Sequence, residues 1–76
     1  MKQIKIRNHS SDVMPIVLEP WGEIFEVPAQ SVIEIISDQE NDEDSLEIDY
    51  EKAAIIVNAW SESMTVKING ETLKSD

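Results

Sequence analysis

The chain contains no cysteine, so disulfides, thiolate metal sites and cysteine nucleophiles are all excluded. Histidine occurs once, as His9, which rules out a blue-copper centre or a two-histidine zinc site within one chain. Glycine occurs twice and proline three times, so each has positional meaning. Basic residues are scarce: 6 Lys and Arg stand against 16 Asp and Glu, for a net charge of −10. Nucleic-acid phosphate and anionic membrane surfaces would be repelled, so neither is an expected partner. The longest nearly apolar stretch, residues 53–59, is far too short to span a bilayer. At the start, Lys2, Lys5 and Arg7 alternate with Ile4 and Ile6, whereas a secretory signal needs a continuous apolar run. No lipidation motif is present. A soluble, cytoplasmic protein is the expectation.

What is present is strand patterning. Seventy-six residues, 41% of them apolar, make one domain (1–76) with one small core. Period-two alternation dominates, as in 2–7, 46–51 and 64–68, and 13–19, 24–27 and 31–37 also read as strands. Asn8-His9-Ser10-Ser11-Asp12 reads as a polar turn. Pro15 lies inside the second run, which predicts an edge strand or a bulge there. Glu19-Pro20-Trp21-Gly22 fits a type I turn, returning the chain as a hairpin. Pro28-Ala29-Gln30 breaks the third strand. Leu46, Ile48 and Tyr50 alternate with Glu47, Asp49 and Glu51, the pattern of a half-buried strand. In 53–60 the run Ile55-Ile56-Val57 favours strand over a short helix. Asn69-Gly70 is a type I′ hairpin signal, with 71–73 as a short closing strand. Seven or eight short strands and no long amphipathic helix predict an all-β fold, a small antiparallel sandwich or barrel.

Two of these strands are apolar on both faces: Val32, Ile33, Ile35 and Ile36 in one, Ile55, Ile56 and Val57 in the other. An antiparallel sheet with one wet face should alternate. Either the sheet curls over them or a second copy covers them, so a homodimer is one expectation.

The acids are unevenly placed. No Lys or Arg occurs from Asn8 through Glu51. Asp38, Glu40 and Asp42 have the spacing of a calcium loop, with Asp49 at its twelfth position. However, Glu43 stands where such a loop needs glycine, and no helices flank it. A solvated acidic loop is the simpler reading, and no metal is assigned. Alternatively, Asp38, Glu40, Asp42, Glu43 and Asp44, extended by the row Glu47, Asp49 and Glu51, form a docking surface for a basic partner. The same row would instead pair internally if Lys5, Arg7 and Lys67 lie on neighbouring strands. His9, Ser10 and Asp12 share residue types with a hydrolase triad, but consecutive loop residues do not reach that geometry. Trp60 reads as core, its indole N–H reaching a carbonyl or water. Trp21, in its turn between Glu19 and Glu23, reads equally as a cap on the core end or as a contact residue.

The stretch Leu18-Glu19-Pro20-Trp21-Gly22-Glu23, with Val27-Pro28-Ala29 and Ser31-Val32-Ile33-Glu34 after it, resembles a group of short bacterial proteins of unknown function. These carry a Glu-Pro-Trp-Gly-Glu turn, an extended segment, a Pro-containing turn and a further strand. The likeness covers residues 18–34. It implies a small β-domain and transfers no catalytic residues.

The leading expectation is a non-enzymatic protein-binding or regulatory module without a cofactor. Its partner-binding residues would be Glu19, Trp21, Glu23, Asp38, Glu40, Asp42, Glu43 and Asp44. The alternative is an acidic inhibitor or nucleic-acid mimic that binds a basic protein surface.

Overall fold

A computed structural model describes residues 2–37, 47–61 and 63–75. The described chain is all strand and turn: β1 (Lys2–Arg7), β2 (Met14–Glu19), β3 (Glu23–Val27), β4 (Val32–Ser37), β5 (Glu47–Glu51), β6 (Ala54–Asn58), β7 (Thr65–Ile68) and β8 (Glu71–Ser75). They form two four-stranded sheets, ordered β1-β4-β7-β8 and β3-β2-β6-β5. The sheets pack face to face as a sandwich and do not close into a barrel. Every neighbouring pair is antiparallel except β2 and β6, which run parallel.

Alternation decides which side chains meet between the sheets. Ile16, Leu18, Phe25, Val27 and Val57 enter from the β2-containing sheet. Ile33, Ile35 and Val66 enter from the other, and Trp60 and Met64, from the segment between β6 and β7, complete the core. The two-faced apolar strands β4 and β6 are the inner members of their sheets. Val32, Ile36 and Ile56 point away from the core yet are only half-buried. Val32 lies opposite Arg7, and Ile36 lies opposite Gln3 and Thr65. Long neighbouring side chains lay their stems over apolar surface in this way, so one chain already covers these residues in part.

Five details depart from the sequence expectation. First, β2 is an interior strand despite Pro15. Its pairing with β6 begins only at Ile16, so the missing N–H falls before the second neighbour starts. Second, the 19–22 turn is not type I. The Glu19–Pro20 peptide is cis, Gly22 takes a φ of 71°, and the Gly22 N–H donates to the Leu18 carbonyl at 3.0 Å.

Third, β5 is exposed along its whole length rather than half-buried. Ile48 and Tyr50 share the core-facing side with Val57 and Ile55, yet they are 46% and 77% exposed, unlike Phe25 and Val27 on the other edge strand, β3. Fourth, β5 and β6 join through a two-residue hairpin in which Lys52 and Ala53 take φ values of 48° and 63°. Fifth, β8 extends to Ser75 and carries a bulge. Lys67 faces Thr72 but Val66 faces Lys74, so Leu73 is the extra residue. The bulge shifts the alternation by one position, turning Leu73 outward and Lys74 toward the core side.

Candidate protein-binding surface

The outer faces of the two sheets differ in charge. On the β2-containing sheet, Ile24, Val17 and Ile56 lie in register across three strands, with Asp49 next in line. Ile24 is 65% exposed. The adjoining outward positions carry Glu26 opposite Pro15, Glu19 opposite Asn58, Glu47 opposite Asn58, and Glu51 opposite Ala54. An apolar row is thus flanked by five carboxylates (Glu19, Glu26, Glu47, Asp49, Glu51), and the four strands of this sheet contain no Lys or Arg. Asn58 Nδ2 donates to Asp49 Oδ2 at 3.2 Å and to the Glu47 carbonyl at 3.4 Å, which fixes part of that rim.

Among the described residues, the other outer face carries Lys5, Arg7 and Lys67 around a single acid, Glu34, which stands in register between Lys5 and Lys67. Gln3 Nε2 donates to Glu34 Oε2 at 2.9 Å. Lys5, Arg7 and Lys67 therefore lie on the opposite sheet from Glu47, Asp49 and Glu51. The condition for internal cross-strand pairing, that these strands be neighbours, is not met, because each row belongs to a different sheet.

The 19–22 turn is held from the other sheet. Lys74, redirected by the β8 bulge, places Nζ 2.6 Å from Glu23 Oε1 and 5.1 Å from the centroid of the Trp21 ring. Glu19, Trp21 and Glu23, three of the expected binding residues, do come together here. Trp21 is 41% exposed, but a cation already lies over its ring, so one face is engaged within the chain. The other five, Asp38, Glu40, Asp42, Glu43 and Asp44, lie outside the described residues, as does most of the calcium-like loop.

Sequence reasoning missed the role of Asn8, which is buried. Its Nδ2 donates to the carbonyls of Asp12 at 2.7 Å, Val27 at 3.0 Å and Pro28 at 3.1 Å. Its Oδ1 accepts from the Ser10 amide at 3.0 Å and lies 2.7 Å from the Ser10 hydroxyl. Asn8 therefore ties the 8–12 loop of one sheet to the end of β3 in the other. Gln30 Nε2 adds bonds to the His9 and Ser10 carbonyls at 2.8 and 3.1 Å. Ser10 is committed to this network rather than to His9. Beside the loop, Arg7, His9, Asp12, Met14, Tyr50 and Ala53 are among the residues lining an open cleft of about 350 Å³.

Trp60 is buried as expected, and among the described residues its Nε1 meets no hydrogen-bond acceptor. Among the described residues no three His, Asp or Glu side chains gather closely enough to hold a metal ion. Nor is any helix long and apolar enough to cross a membrane. No family model matches the chain, and no curated protein or solved structure is similar enough to count as a match.

Proposed function

We propose that the chain is a non-enzymatic protein-binding module of the cytoplasm that docks its partner on the outer face of the β2-containing sheet. The observation that supports this most is the register of Ile24, Val17 and Ile56 inside a rim of five carboxylates. Apolar centres with polar rims are the usual anatomy of an interface. An all-acidic rim selects a partner with Lys or Arg around an apolar patch. Immobilised wild-type protein should retain such a partner from lysate, and Ile24→Arg should lose it while Lys5→Gln keeps it. Identical capture by all three proteins would contradict the assignment.

A second reading, an acidic inhibitor or nucleic-acid mimic, draws on β5 alone. Its three acids are exposed and recur about every 7 Å along the strand. A complex held by that row would dissolve as salt rises, whereas one centred on Ile24 would persist.

A further inference from the structure

We infer that two copies of this chain join side by side, the β1 edge of each pairing with the β5 edge of the other. The Lys74–Glu23 ion pair joins β8 to β3 at one side, which leaves β1 and β5 together at the other. Arg7 at the end of β1 and Tyr50 near the end of β5 line the same cleft, so both strands also finish at the same end.

Among the described residues no strand pairs with the outer side of β1 or of β5. Each therefore presents a row of backbone N–H and C=O groups. The two strands have opposite charge: β1 carries Lys2, Lys5 and Arg7 with no acid, and β5 carries Glu47, Asp49 and Glu51 with no base. Like charges oppose β1 pairing with β1, or β5 with β5, and the combination of β1 with β5 remains.

A two-fold axis along the strands makes that combination twice at once. It sets each β1 parallel to the partner's β5 and merges the sheets into two continuous ones. Alternation then matches on both sides of the junction. Outward-facing Lys5 and Arg7 fall beside outward-facing acids of β5. On the inward side, Ile4 and Ile6, packed against the core, meet Ile48 and Tyr50, which single-chain packing leaves exposed. The contact is isologous and closes at two copies. The row Ile24, Val17 and Ile56 stays open, while Glu47, Asp49 and Glu51, three of the five carboxylates of its rim, are shared with the junction.

The test is sedimentation equilibrium of the full chain across concentration and salt. Wild type should be a dimer that weakens as ionic strength rises. K5E/R7E and E47K/D49K should each associate at least about tenfold more weakly. Their equimolar mixture should restore the dimer, since each reversed strand then meets its complement. Melting curves check that both variants fold. If either does not, amide exchange in the wild type decides, with β1 and β5 amides losing protection on dilution. A wild-type monomer throughout, variants that dimerise like wild type, a mixture of folded variants that stays monomeric, or amide protection of β1 and β5 that ignores dilution would each overturn the inference.

Discussion

Asn8 concentrates more bonding than any other side chain described here, reaching three carbonyls and the Ser10 amide. Each neutral hydrogen bond contributes only about 1 kcal/mol net, but stranded buried partners cost more. Asn8→Ala should therefore lower unfolding free energy by about 2–3 kcal/mol, read from urea titration. A loss under about 0.5 kcal/mol, the scale of ordinary surface substitutions, would show that water replaces those bonds freely. The tryptophans should separate in the same assay. Trp60→Ala removes a buried core side chain and should cost about 3–5 kcal/mol. Trp21→Ala removes a partly exposed ring and one cation contact, and should cost about 1 kcal/mol. A strong loss of stability for Trp21→Ala would make that residue core. Asn8 was not legible because a polar residue at the head of a polar turn looks like any other. Its burial comes from β3 ending beside it, a long-range consequence of topology.

At the scale of elements, strand existence was legible and turn geometry less so. Asn69-Gly70 forms the expected hairpin, with φ values of 50° and 83°. Asn69 also caps β4, since its Oδ1 accepts from the Val32 amide at 3.2 Å and its Nδ2 donates to Ser31 Oγ at 3.0 Å. The β5–β6 hairpin places Lys52 and Ala53 where such turns prefer Asn-Gly, so no local signal announced it. An alanine in the left-handed region is strained, and glycine relieves the strain at some cost in unfolded-chain entropy. Ala53→Gly should stabilise by about 0.5–1 kcal/mol and raise the melting midpoint by several degrees in calorimetry. A lower midpoint would mean the unfolded-chain entropy outweighs the relief of strain. The β8 bulge was equally hidden. Alternation in Thr72-Leu73-Lys74 favours Leu73 inward, and the bulge reverses that phase, with Lys74 reaching Glu23 across the sandwich.

For the whole molecule, composition told of strong negative charge but not of its segregation. Glu19, Glu26, Glu47, Asp49 and Glu51 line the outer face of one sheet, while Lys5, Arg7 and Lys67 gather around Glu34 on the other. Pairing the rows within one chain was a natural expectation from alternation alone. Strand order forbids it, because β1 and β7 flank β4 while β5 flanks β6. Strand order is a non-local property that period-two patterning does not encode. The apolar row Ile24, Val17 and Ile56 was invisible for the same reason: β6, which supplies Ile56, is distant in sequence from the β2–β3 hairpin that supplies the other two.

The central claim is that this acid-rimmed face carries the partner. Its most direct test is carboxylate footprinting with a carbodiimide and an amine, read by mass spectrometry, on the free protein and on the captured complex. The expected result is protection of Glu19 and Glu26 in the complex, with Glu34 and Glu71 labelled as in the free chain. Protection centred on Glu34 and Glu71, with the Ile24 rim fully labelled, would contradict it.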